Sequence, residues 1–123
     1  MNRVVNLYMA VDLTSFLELK VKFFRGFGDK TRLSILESLK NGEKTVSEIV
    51  DYTSGECGNQ SNISQHLSCL RGCGIVKSRQ EGKYTYYSIR SKEIEQFLLQ
   101  ADMILQGITE EMWVCSQNDK LIK

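Results

Sequence analysis

The chain has 123 residues, average shares of hydrophobic (41%) and charged (25%) side chains, and a formal net charge of +1. This length suits one ordinary domain, residues 1–123, and excludes separate catalytic and cofactor-binding domains. Apolar runs are short, and Arg3, Asn6 and Asp12 interrupt the N-terminus. We therefore expect no signal peptide, no membrane span and a cytoplasmic location. Four cysteines in such a chain favour reduced thiols, available for chemistry or metal binding, over a disulfide framework.

Basic side chains are concentrated in one part of the sequence. Residues 61–90 contain five basic residues and one acidic residue, whereas residues 91–123 contain three lysines and six acidic residues. A basic segment between neutral and acidic ones is typical of a local surface that binds a polyanion. A solvated surface strip would show the same charges, so the charge pattern leaves both interpretations open.

Four helices are predicted in the first 73 residues, because apolar side chains recur there at helical intervals. Asp29 is a suitable N-cap for the second helix, and Thr45 with Glu48 has the spacing of a capping box that opens the third. The predicted helices cover residues 13–27, 30–40, 46–50 and 61–73. A polar loop over residues 53–60 separates the last two, which gives a helix, a turn and a helix.

The pattern changes after Ile75. Two β-rich runs around Glu81 and Gly82 predict a hairpin. An apolar stripe from Ile94 to Met112 predicts one long final helix over residues 92–113, and the polar residues 116–123 predict a loose tail. The predicted fold class is therefore mainly α with a β-hairpin.

Helix, turn, helix and a basic hairpin are the parts of a winged helix-turn-helix, whose second helix enters the major groove of DNA while the hairpin touches the backbone. In the helix over residues 61–73, Ile63, Leu67 and Leu70 form the inward stripe, and the opposite face is small and polar. The candidate DNA contacts are Ser61, Asn62, Ser64, Gln65, Ser68, Lys77, Arg79, Lys83 and Tyr84. Taken singly, each serine is better explained as a surface residue and the tyrosine as an ordinary strand former, so the DNA interpretation depends on their joint placement.

Several local runs occur in the order found in one family of regulators. They are GDKTRLSIL at 28–36, VSEI at 46–49, NISQHL at 62–67, EGK at 81–83 and YYS at 86–88. Over residues 24–90 the chain resembles the ArsR/SmtB repressors. The resemblance implies a DNA-binding core at about residues 29–90 and a homodimer held by the terminal helices, 13–27 and 92–113. It also implies repression of efflux or detoxification genes, with release from double-stranded operator DNA when an inducer, usually a metal ion, binds.

Cys69 and Cys73 are candidate metal ligands, because a spacing of four residues places both thiols on one flank of a helix, within reach of one ion. The run SCLRGCG at 68–74 resembles the CmtR-type cadmium/lead sensors of that family. The resemblance implies a third thiolate from the C-terminal region, where Cys115 is the matching residue. Three thiolates suit Cd(II) or Pb(II). The alternative is that these cysteines are small core residues.

Cys57 lies in a loop about three residues longer than is usual in the family. It can be a fourth ligand, a thiol that relays the ion or an inert loop residue, and we favour the inert role. His66 is the sole histidine, and we expect it to form hydrogen bonds rather than bind metal. The terminal-helix zinc site of many relatives is missing, because Ser91, Lys92 and Glu93 occupy its place.

Several functional alternatives remain open for the sequence. The inducer can be As(III), Zn(II) or thiol oxidation in place of Cd(II) or Pb(II). A structural zinc protein that never meets DNA is a second alternative. A small thiol enzyme is disfavoured because the sequence has no Cys-x-x-Cys within a βαβ pattern. We therefore predict that the chain is not an enzyme.

Overall fold

The computed structural model describes residues 13–122, and the surroundings of side chains from residue 14 to residue 118. The predictions made for residues 1–12 and for Lys123 lie outside the described residues. The chain divides into two compact units, one ending at Arg90 and one beginning at Ser91. In chain order the elements are α1 (Leu13–Phe27), α2 (Lys30–Ser38), α3 (Val46–Tyr52), α4 (Gln60–Gly72), β1 (Val76–Glu81), β2 (Tyr84–Ile89) and α5 (Lys92–Ile122).

The helices of the first unit begin at residues whose side chains accept hydrogen bonds from the first turn. Asp29 Oδ2 accepts from the Arg32 backbone N–H at 3.0 Å, which confirms the predicted cap of α2. Thr45 Oγ1 accepts from the Glu48 N–H at 3.2 Å, and Glu48 Oε1 accepts from the Thr45 N–H at 2.9 Å. The predicted capping box of α3 is therefore confirmed.

The α4 helix also has a cap, which we did not predict. Asn59 Oδ1 accepts a hydrogen bond from the Asn62 N–H at 3.0 Å, and α4 begins at Gln60. Asparagine is among the strongest N-caps, so the signal was present in the sequence. The cap fixes where the exposed face of α4 begins.

The core of the first unit is formed by apolar side chains from α2, α3, α4 and the start of the hairpin. Fully buried members are Ile35, Ile49, Ile63, Leu67, Leu70, Ile75 and Val76. The predicted inward stripe of α4 is therefore confirmed. Burial of one such side chain stabilises the fold by about 1.5–3 kcal/mol, so this stripe holds α4 against the rest of the unit.

The hairpin is an antiparallel pair in which Val76 lies opposite Ile89 and Glu81 lies opposite Tyr84. The two residues between the strands are Gly82, with a φ of +60°, and Lys83. A positive φ at the first turn position is typical of a type II′ turn, which favours glycine there. The hairpin is the wing of the predicted winged helix-turn-helix.

The second unit contains one helix, α5, which runs from Lys92 to Ile122. The prediction that residues 116–123 form a loose tail is therefore wrong for residues 116–122, which continue the helix. Polar side chains do not end a helix by themselves, and the sequence contains no proline and no glycine beyond Gly107 to interrupt the backbone hydrogen bonds. None of the described helices is long and apolar enough to cross a membrane.

Candidate nucleic-acid interface and thiol pair

The outer face of α4 is polar and accessible, as predicted. The five candidate contacts Ser61, Asn62, Ser64, Gln65 and Ser68 are all exposed. At the start of the helix, Gln60 Nε2 donates a hydrogen bond of 2.8 Å to Ser47 Oγ. This bond joins the first turns of α3 and α4, the two helices of the helix-turn-helix.

On the wing, Lys77, Lys83 and Tyr84 are exposed. The Lys83 Nζ lies 5.5 Å from the centre of the Tyr84 ring, so the two candidate contacts lie together at the tip. Arg71 adds a cation that we did not predict as a contact, and its Nη1 donates to Ser78 Oγ at 3.2 Å. Arg71 thereby links the end of α4 to β1.

Arg79 is also exposed, but carboxylates surround its guanidinium group. Its Nε donates to Glu43 Oε2 at 2.8 Å, its Nη2 donates to Glu43 Oε1, and its Nη1 donates to Glu81 Oε2 at 3.0 Å. These hydrogen bonds raise the pKa of Arg79, and the bond from Arg79 lowers the pKa of Glu43. Because Glu43 lies 36 residues from Arg79, no local sequence signal could have predicted the pair.

Cys69, in the last turn of α4, and Cys73, the C-cap residue that follows Gly72, have their thiols close enough to form a hydrogen bond. Cys69 is exposed and Cys73 is partly buried. Burial raises the pKa of Cys73, and the hydrogen-bonded Cys69 thiol adds to the rise, while Lys22 and Arg32 oppose it. Both thiols can ligate one soft ion, provided that binding displaces their protons.

The Cys73 side chain lies beside α1. A cavity of about 400 Å³ is formed there by α1 and the end of α4, and its lining residues include Phe16, Lys22, Phe23 and Cys73. A Cβ atom placed on Gly26 would lie 3.8 Å from Cys73 Sγ. Cys73, one member of the thiol pair, therefore lies against the helix that precedes the DNA-binding core.

The other two cysteines lie elsewhere in the fold. Cys57 is partly buried in the loop before α4, at a cavity of about 260 Å³ that Tyr52 and Glu56 also line. Cys115 is exposed on α5, in the second unit. Within the described part of the chain, no group of three or more His, Cys, Asp or Glu side chains is placed to hold a metal ion. The structure thus unites two of the four candidate ligands.

His66 is partly buried on α4. The hydrogen bond from the Arg32 backbone lowers the pKa of Asp29, and the charges of Arg32 and His66 add to this effect. His66 therefore lies within electrostatic range of the cap of α2.

The exposed polar face of α4, beside a hairpin with exposed lysines, is the arrangement of a winged helix-turn-helix protein. The chain belongs to the ArsR family: the family described as "Bacterial regulatory protein, arsR family" matches residues 29–78. A probable mercury resistance operon repressor of Streptomyces lividans is 36% identical over 80 residues, which are 65% of this chain and 62% of that protein. An uncharacterised HTH-type transcriptional regulator of Methanocaldococcus jannaschii is 37% identical over 86 residues, 69% of this chain and 93% of that protein.

Solved structures agree with this assignment. The crystal structure of Rv0081 from Mycobacterium tuberculosis superposes with a TM-score of 0.70 at 32% identity, covering 79% of this chain and 95% of that one. A homodimeric winged helix-turn-helix DNA-binding domain from Mycobacterium bovis gives a TM-score of 0.72 at 24% identity, covering 80% and 88%, and supports the fold. The cadmium sensor CmtR from M. tuberculosis gives a TM-score of 0.56 at 31% identity, covering 65% of this chain and 80% of that one.

The named relatives are regulators, in agreement with the prediction that this chain is not an enzyme.

Proposed function

We propose that this protein is a cytoplasmic transcriptional repressor that binds operator DNA as a homodimer and is released by a soft metal ion. The observation that carries the proposal is the position of the Cys69 and Cys73 thiols. Cys69 lies on the helix that carries the exposed polar face, Cys73 is the C-cap of that helix, and Cys73 lies beside α1. A ligand of the two thiols is therefore placed to move the DNA-reading helix.

The DNA contacts proposed for α4 are base contacts, centred on Gln65, whose amide can pair with an adenine edge. Lys77, Lys83 and Tyr84 on the wing are proposed to contact phosphates. In a symmetric dimer the two α4 helices would enter successive major grooves about 34 Å apart. The operator is therefore expected to be an imperfect palindrome.

A second copy of the chain is the proposed partner for the apolar faces of the terminal helices. On α1, Leu17 and Phe24 are 59% and 55% exposed, and on α5, Ile104 and Trp113 are 57% and 64% exposed. So many large exposed side chains on two helices are typical of a protein-protein interface. The M. bovis domain, which has the same fold, is described as homodimeric.

Cys69, Cys73 and Cys115 are proposed to hold the inducer. Thiolates prefer soft ions, and similarity to CmtR favours Cd(II) or Pb(II). Cys57 lies at a separate cavity and is proposed to be a bystander. When one ion joins Cys69 and Cys73 to Cys115, of the same or the other protomer, the end of α4 is tied to the dimer interface in which α1 is proposed to take part, and the dimer geometry that fits the operator becomes less favourable.

The test is an anaerobic titration of the reduced protein with Cd(II), followed by ultraviolet thiolate-to-metal absorption and by fluorescence anisotropy of an operator duplex. Selection from a random duplex library first provides the operator. We expect the protein to bind one ion per protomer and to lose DNA binding as the ion binds. Cys69→Ser, Cys73→Ser and Cys115→Ser should each weaken ion binding and reduce the loss of DNA binding. Cys57→Ser is the matched control and should behave as the unmodified protein does. Unchanged operator affinity in saturating Cd(II) would refute cadmium sensing, whereas absence of salt-dependent DNA binding would refute the repressor itself.

A further inference from the structure

Two contacts outside the β1–β2 ladder hold the wing to the segment that precedes α3. The Lys44 N–H donates to the Tyr87 carbonyl at 3.0 Å, and the Tyr87 N–H donates to the Lys44 carbonyl at 2.8 Å. One residue earlier in the segment, Glu43 receives two hydrogen bonds from Arg79 of β1. We call the Glu43–Arg79 pair the wing latch.

The guanidinium of Arg79 forms hydrogen bonds with two carboxylates and also contacts an aromatic ring. Its three nitrogen atoms donate to Glu43 and Glu81. Its central carbon lies 4.7 Å from the centre of the Tyr86 ring, the residue opposite Arg79 in the hairpin register. A bidentate pair with a stacked ring fixes the guanidinium more firmly than an isolated surface ion pair.

This engagement makes Arg79 poorly suited to neutralise a phosphate. Two carboxylates share one cation, so the cluster carries a net negative charge. The hydrogen bonds to Glu43 and Glu81 use three of the five N–H donors of the guanidinium, so an approaching phosphate would find two donors and would meet the repulsion of two adjacent carboxylates. Lys77 and Lys83 are also exposed on the hairpin. Lys77 lowers the pKa of Glu43 through its charge, whereas Arg79 also donates hydrogen bonds to Glu43.

We infer that Arg79 is a positioning residue, and that the wing latch sets the angle of the wing relative to α3 and α4 for DNA binding. The inference rests on the proposed function, since it concerns how the winged helix-turn-helix engages a duplex. On this inference the acidic Glu43 increases the affinity of the protein for DNA, although DNA is a polyanion. Long-range electrostatics alone predicts the opposite sign, because removal of an acidic charge near DNA should strengthen binding.

The sign of the Glu43→Gln effect is the first test, measured by anisotropy with the operator duplex. We expect affinity to fall about twofold to fivefold, the size of a well-formed exposed ion pair. Glu56→Gln is the matched control, because it removes an exposed carboxylate from the loop before α4 and should leave affinity unchanged or slightly higher. Tighter binding by Glu43→Gln, as in the control, would overturn the inference.

Substitutions at Arg79 give the second test. Arg79→Lys keeps the charge but loses the bidentate geometry, so we expect weaker binding with an unchanged salt dependence. Arg79→Glu should bind poorly, and the double variant Glu43→Arg, Arg79→Glu should recover part of the affinity because the pair re-forms with its charges exchanged. Full affinity of Arg79→Lys, or no recovery in the double variant, would show instead that Arg79 contacts phosphate directly.

Hydrogen exchange of the free protein provides a readout that does not depend on DNA. The Lys44 and Tyr87 amides should exchange faster in Glu43→Gln and Arg79→Lys, while amides in the buried half of α4 keep their protection. Unchanged exchange at both amides would overturn the latch. If the unmodified protein fails to bind any duplex, the proposed function fails, whereas the exchange result still decides whether the latch exists.

Discussion

Replacement of Gly26 by alanine tests whether α1 is packed as closely as the structure shows. Gly26 is buried near the end of α1, and a Cβ atom there would lie 2.3 Å from Ile75 Cδ1. Carbon atoms in favourable contact are about 3.5–4.0 Å apart, so one partner must move by more than 1 Å. Ile75 is fully buried, which limits where its methyl group can go.

The magnitude is a balance of two opposing contributions. Alanine in a helix is more favourable than glycine by about 0.8–1 kcal/mol, whereas overpacking of a filled core costs about 1–3 kcal/mol. We therefore expect Gly26→Ala to reduce the free energy of unfolding by about 1 kcal/mol. The added methyl would also lie 3.8 Å from Cys73 Sγ, an ordinary contact, so cadmium binding should persist.

Urea unfolding followed by circular dichroism, at a fixed protomer concentration, measures the change. Gly107→Ala is the matched control, because Gly107 also lies within a helix and nothing is within 4 Å of its added Cβ. The control should gain about 0.5–1 kcal/mol. If Gly26→Ala gains as much as Gly107→Ala does, α1 is not in close contact with Ile75, and the proposed route from the thiol pair to α1 is refuted.

Three further outcomes are expected. Cadmium affinity should rise with pH between about 6 and 9, because ligation requires thiolates and the pKa of Cys73 is raised above its usual 9.0; a pH-independent titration curve would contradict this. Asn59→Ala should lower the free energy of unfolding by about 1 kcal/mol, since it removes the cap of α4; Asn59→Asp, which keeps a capping oxygen, should show a smaller loss by the same urea assay. Lys83→Met should reduce the slope of log affinity against log salt by about one, and an unchanged slope would show that Lys83 makes no phosphate contact.

Many features of the fold could be predicted because they depend on residues close in sequence. The caps at Asp29 and Thr45 follow from spacings of three residues. The buried stripe of α4 follows from helical periodicity, and the turn at Gly82 follows from the break between two β-rich runs. Each of these is a local arrangement whose geometry is nearly the same in any protein.

The extent of α5 was less predictable. The apolar stripe, which ends at Met112, predicts a helix over residues 92–113 only. The backbone continues to Ile122, because helix formation needs compatible residues rather than an apolar face.

The sequence by itself determined the class of this protein: the order of its helices and hairpin, the polar face of α4, and the four-residue spacing of Cys69 and Cys73. Only the tertiary structure decided which charges are available and which groups meet. The basic residues of the hairpin predict phosphate contacts, but only the fold shows that Glu43 is paired with Arg79. Likewise, the close approach of Gly26 to Cys73 and Ile75 links residues nearly 50 positions apart. Such contacts depend on how the folded helices and strands pack together, because the shapes of all the side chains between two elements determine their packing.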